Sequence, residues 1–130
     1  MSLKHHSWLA LRSLLAIMLA LVVLVLINLG GGALADLMGF PGGGEGRLAW
    51  DLGCFFLAGL LAVWTAVRLA SRAPLVHAAV VFGLILAMDV VGVAQLGSDW
   101  PHWFSAGILL TLPVQAFLGA RWARRASKSA

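Results

Sequence analysis

Hydrophobic residues occur in four long runs, separated by short polar or glycine-rich stretches. A helix needs roughly 20 apolar residues to cross a hydrocarbon core of about 30 Å, and each run approaches or exceeds that length. We therefore predict four membrane-spanning helices, over residues 13–35, 48–70, 75–96 and 103–122.

Residues that disfavour helices mark the expected ends of these spans: the glycines at 30–32, Pro74, Gly97 and Pro101. The first connection, residues 36–47, is rich in glycine. It follows no strand and lacks the Lys-Ser/Thr pair of a phosphate-binding loop, so a flexible loop is the simpler interpretation. Residues 123–130 form a basic tail.

The composition supports a membrane protein. Of the 130 residues, 62% are hydrophobic and 11% are charged, whereas soluble domains carry about 25% charged residues. A soluble chain of this size could not bury so much apolar surface in one core. We therefore expect an all-α membrane protein in which residues 1–130 form a single transmembrane domain.

The distribution of charge predicts the orientation of the spans. Eight of the nine Lys and Arg residues flank the spans on one side, and only Arg47 lies on the other. Because loops on the cytoplasmic side are enriched in Lys and Arg, we expect an antiparallel four-helix bundle with both termini in the cytoplasm. This pattern is typical of topology rather than of nucleic-acid binding. The membrane that we expect is the bacterial inner membrane.

The tail is expected to contact anionic lipid headgroups, with about 1 kcal/mol contributed by each basic residue. The residues concerned are Arg121, Arg124, Arg125 and Lys128.

The first span has a second interpretation. Basic residues, an apolar stretch and Ala33-Leu34-Ala35 are together similar to a secretory signal with its cleavage site. The apolar stretch exceeds the 7–15 residues usual for a signal core, which favours an uncleaved helix.

Asp89 lies inside the third span, and an ionisable residue there is by default a functional hypothesis. Helical rise places it about 10 Å inside the outer boundary, at a depth similar to that of Asn28 and Thr111. Gln115 lies nearer the centre of the fourth span, and Asp51 lies near the outer end of the second. In one interpretation these five residues form a polar site for a proton, a cation or a cationic substrate. In the other, Asp89 only forms hydrogen bonds between helices.

Other chemistry has less support. A full span separates His77 from His102, so the two cannot ligate one haem, and Cys54 is the only cysteine. We expect no cofactor and no metal. A membrane enzyme acting on lipid or quinone would have to use Asp51, Asp99 and His102, without an arrangement that activates a nucleophile.

From Trp50 onward the chain resembles small uncharacterised bacterial four-helix membrane proteins. The resemblance rests on four short features: the end of the second span at residues 66–70, Asp89 in the third, the Trp/Pro loop at 100–104, and Pro113 with residues 119–121 in the fourth. It implies a four-helix fold and carries no established activity. These proteins more often have Asn at the position of Asp89, which favours hydrogen bonding.

We therefore expect a non-catalytic bundle that acts as an accessory or assembly subunit, with other membrane proteins or further copies of itself as partners. The alternative is a small oligomeric transporter or channel that uses Asp89.

Overall fold

The computed structural model describes residues 3–129, and within this range all regular structure is helical. The helices are α1 (Leu3–Leu37), α2 (Glu45–Leu69), α3 (Pro74–Leu96) and α4 (His102–Ser129), with a short 3-10 turn at Gly97–Asp99. All four helices are long and apolar enough to cross a membrane. The predicted all-helical, multi-pass character is confirmed at this level.

The glycines at 30–32 do not end the first helix, so their prediction as a boundary was wrong. The helix α1 continues through them to Leu37. At Gly31 the two helices α1 and α2 come close together: an added Cβ would collide with the Cys54 sulfur. The indole Nε1 of Trp50 also donates a hydrogen bond to the Gly31 carbonyl, at 2.8 Å. Glycine is tolerated because contact with α2 compensates for its low helix propensity.

The first and last helices extend beyond the predicted spans. With 35 residues at 1.5 Å each, α1 is about 52 Å long, more than a hydrocarbon core requires. The helix α4 runs to Ser129. The basic residues expected in a tail are therefore part of a helix and project from it at helical spacing.

Small side chains fill the contacts between helices. The buried residues of α1 include Ala16, Ala20 and Ala35, and those of α2 include Ala58 and Ala62. Such residues let helix backbones approach closely, which is how helices associate in lipid. The helix α2 contacts each of the other three, whereas α1 packs chiefly on α2.

The helix α3 is buried only in its first half. Its buried residues run from His77 to Ile85, and no residue of α3 after Ile85 is buried. We call residues 86–96 the C-terminal half of α3. This half presents a largely apolar surface that the rest of the described chain covers only in part.

Candidate functional site

The five polar residues predicted as a site are not joined to one another by hydrogen bonds within residues 3–129. Two of them bond to their own helices. The Asn28 Nδ2 donates to the Leu24 carbonyl at 3.0 Å, and the Thr111 Oγ1 donates to the Ile108 carbonyl at 2.6 Å. Their polarity is thereby satisfied locally, as is common for such side chains within helices.

Asp51 belongs instead to an ion-pair cluster at the α1–α2 loop. The Arg47 guanidinium contacts one carboxylate oxygen of Asp36 at the end of α1. Its Nε lies 3.2 Å from Asp51 Oδ1, one turn further along α2. The Phe40 and Trp50 rings lie beside the cluster, with centroids 6.1 Å apart. Arg47 therefore joins the end of α1 to the beginning of α2.

Part of this ion-pair cluster could be predicted from the sequence. Arg47 and Asp51 are spaced i,i+4 on a helix, a spacing at which opposite charges interact. The contact of Arg47 with Asp36, eleven residues away, depends on how the loop folds, and no periodicity predicts that.

Asp89 lies in the C-terminal half of α3 and is partly exposed. It follows the buried Val81 and Ile85 at intervals of four, so it continues the face with which α3 packs on the bundle. Within the described chain its carboxylate makes no hydrogen bond or ion pair. Its immediate neighbours Met88 and Val90 are apolar and exposed.

Gln115 lies inside the bundle, with only 1% of its surface exposed. Its amide lies against Gly59 of α2, where an added Cβ would fall 2.6 Å from Oε1. The absence of a side chain at Gly59 therefore makes room for the amide. Within residues 3–129 the Oε1 atom has no hydrogen-bond partner, which is costly for a buried acceptor.

A groove beside Gln115 separates α3 from α4 and has a volume of about 170 Å³. Its walls are almost entirely apolar, and they include Val63 of α2 at the base. The other principal lining residues are Ala79, Phe82, Gly119 and Ala120. Ala79 is exposed, so the groove opens at the surface of the bundle.

A basic depression of about 390 Å³ adjoins this groove on α4. Phe117 and Ala120 are its apolar lining residues, and Ala120 also lines the groove. The depression is bordered by the four basic residues predicted to contact headgroups: Arg121, Arg124, Arg125 and Lys128. Helical spacing brings these side chains to one face of α4, and Ala120 joins that face to the groove.

Among the residues that the structure describes, no three His, Cys, Asp or Glu side chains are close enough to hold an ion. His77 is buried near the start of α3, where its Nδ1 lies 3.1 Å from the Ala73 carbonyl oxygen.

Comparison of the chain with protein families, with curated proteins and with solved structures found no match.

Proposed function

We propose that this chain is a non-catalytic accessory or assembly subunit of a complex in the bacterial inner membrane. Its four helices would form an antiparallel bundle with both termini in the cytoplasm. The connections after α2 and α3 are short, which suits antiparallel neighbours. The bias of Lys and Arg toward one side supports the orientation.

The observation that carries this proposal is the environment of Asp89. A charged side chain inside a membrane helix is costly, up to about 2.5–3.5 kcal/mol at the helix centre on insertion scales, so such residues generally find a partner. Asp89 has none within the described chain, and no residue in the C-terminal half of α3 around it is fully buried. A helix of another subunit that packs on this half would supply the missing hydrogen bond.

The packing of the interior supports the same proposal. In the described chain, His77 and Gln115 are the buried polar side chains, and the remaining buried residues are apolar, with many alanines. The Asn28 and Thr111 side chains donate hydrogen bonds to carbonyl oxygens of their own helices. A bundle filled in this way is suited to a structural role.

Gentle purification from native membranes tests the proposal. We expect one other membrane protein to co-elute at a fixed stoichiometry, to persist with Asp89→Asn and to be lost with Asp89→Leu. The matched control is Asp99→Leu in the 3-10 turn, which should leave co-elution unchanged. A chain that elutes consistently alone would overturn the proposal.

The same residue favours a second candidate function, a small oligomeric transporter or channel. In this case copies of the chain would surround Asp89, and its carboxylate would bind a proton, a cation or a small cationic substrate. Flux into proteoliposomes should then depend on Asp89 and fall with Asp89→Asn. Equal flux in the two proteins, or none in either, would eliminate this candidate.

A further inference from the structure

We infer that the groove between α3 and α4 holds one acyl chain of an anionic phospholipid, whose headgroup is bound by the basic residues at the end of α4. This site does not depend on the proposed function. It rests on three neighbouring features: the apolar groove, the buried Gln115 amide that lines it, and the basic depression that shares Ala120 with it.

Small residues create the groove. Gly119 and Ala120 on α4 and Ala79 on α3 all line it, and such small residues leave space where larger side chains would close the contact. At about 170 Å³ the groove is smaller than the roughly 300–1,000 Å³ typical of drug-sized ligands. A segment of one flexible hydrocarbon chain fits such a narrow space, and the rest of the chain can leave through the side that is open at Ala79.

The Gln115 amide supplies a polar contact at the inner wall of the groove. It is buried and its Oε1 lacks a partner within the described chain. An amide carries donors as well as an acceptor, so the Gln115 Nε2 can donate to the ester carbonyl of an acyl chain in the groove. The Oε1 atom needs a separate donor.

The basic depression lies at the distance that a phospholipid requires. From Gln115 to Arg121 the helix rises about 9 Å. The headgroup region of one leaflet is about 5–8 Å thick, by the difference between total and hydrocarbon thickness. Gln115 then lies at the level of the upper acyl chain when Arg121 lies at the phosphate. Arginine pairs with phosphate through two parallel hydrogen bonds, which favours an anionic headgroup.

Native mass spectrometry of the full chain in detergent tests the site. The probes are phosphatidylglycerol and phosphatidylcholine with identical acyl chains, and the readout is the apparent Kd of each. We expect phosphatidylglycerol to bind at least about tenfold more tightly, because several basic residues contribute to its binding. Equal affinities would overturn the inference.

Two sets of variants distinguish binding of the headgroup at the end of α4 from attraction of the anionic lipid to the net positive charge of the chain. Replacing Arg121, Arg124 and Arg125 together by Gln should weaken phosphatidylglycerol binding by about tenfold or more. The matched control replaces Lys4, Arg12 and Arg72 by Gln and removes the same charge elsewhere, so it should leave the affinity nearly unchanged. If both triple variants lose affinity equally, the binding is a charge effect without a site.

The groove has its own test. Ala79→Phe should fill it and reduce phosphatidylglycerol affinity, whereas Val76→Phe, at an exposed position of the same helix outside the groove, should not. Gln115→Leu provides a second variant that keeps the helix contact and removes the amide. Wild-type affinity in both Ala79→Phe and Gln115→Leu would overturn the inference. Displacement of the lipid by glycerol phosphate at equal concentration would also overturn it, because the acyl chain would then contribute nothing.

Discussion

At the residue scale, glycine decides how closely the helices approach one another. Gly59 makes room for the Gln115 amide, and Gly119 of α4 lies against Val63 of α2. Val63 is buried, and a β-branched side chain in a helix has essentially one χ1 rotamer. The Val63 side chain therefore cannot rotate away from a methyl group added at Gly119. A substitution at Gly119 thus tests the close approach of the helices more directly than one at Gly59.

We expect Gly119→Ala to destabilise the bundle. The new Cβ would lie 2.7 Å from Val63 Cγ1, and overpacking of this kind costs about 1–3 kcal/mol. Unfolding of the purified chain in mixed micelles measures the change. The control is Gly53→Ala, at an exposed glycine of α2 with nothing within 4 Å of an added Cβ. That substitution should stabilise the helix by about 0.5–1 kcal/mol. Equal effects at the two positions would contradict the contact between α2 and α4.

Individual polar residues could be found from the sequence, but their neighbours could not. Asp89 and Gln115 stand out because each interrupts an apolar run. Which side chains surround them depends on the rotation of each helix. A membrane helix that is apolar on all sides gives little periodicity from which to derive that rotation. The expected meeting of Asp89 with Asn28 and Thr111 rested on similar depth alone, and depth leaves rotation open.

At the scale of the elements, Arg47 links two helices across the glycine-rich loop. It contacts Asp36 at the end of α1 and Asp51 on α2. Asp36 is largely exposed, with 70% of its side-chain surface accessible, so solvent and salt weaken the pair. The cluster therefore adds a small stabilisation to the packing of α1 on α2, beside the close contact at Gly31.

We expect Arg47→Gln to lower the unfolding midpoint at low ionic strength, because two carboxylates lose their counter-charge. The difference from wild type should shrink as salt increases. Glu45→Gln is a suitable control, since Glu45 is exposed and makes no ion pair within the described chain. A loss of stability that is undiminished in molar salt would show that Arg47 acts through packing.

The existence of the four helices followed from the sequence because a backbone in lipid must satisfy its hydrogen bonds internally. Long apolar runs therefore become helices regardless of detail. The helix ends were harder to predict. The beginning of α1 at Leu3 and the end of α4 at Ser129 lie in polar sequence, where hydropathy carries no signal. The glycines at 30–32 indicated a break only because their contact with α2 was not visible.

At the scale of the whole molecule, the distribution of charge predicts where each loop lies. A membrane-impermeant maleimide tests this in a Cys54→Ala background, in which no native thiol remains. We expect Gly43→Cys, in the α1–α2 loop, to react in intact spheroplasts. Ser127→Cys, near the end of α4, should react only after the membrane is opened. Labelling of both positions in intact spheroplasts would contradict the proposed orientation.

The surface around Asp89 is left incomplete by the residues that the structure describes. The helix α2 contacts the other three, whereas the C-terminal half of α3 has no buried residue and carries Asp89. Lipid chains can cover the apolar side chains there, but they offer the Asp89 carboxylate no hydrogen-bond partner. The proposal of a partner subunit therefore depends on what contacts this half of α3 in the native membrane.

Site-specific photo-crosslinking in native membranes tests that claim most directly. A photoreactive residue at position 88 replaces Met88, which is exposed beside Asp89, and one at position 76 replaces Val76, which is equally exposed at the other end of α3. We expect position 88 to form a discrete adduct with one other membrane protein and position 76 to form adducts with lipid alone. Lipid adducts alone at both positions, or an adduct at position 88 only with a second copy of this chain, would contradict the account.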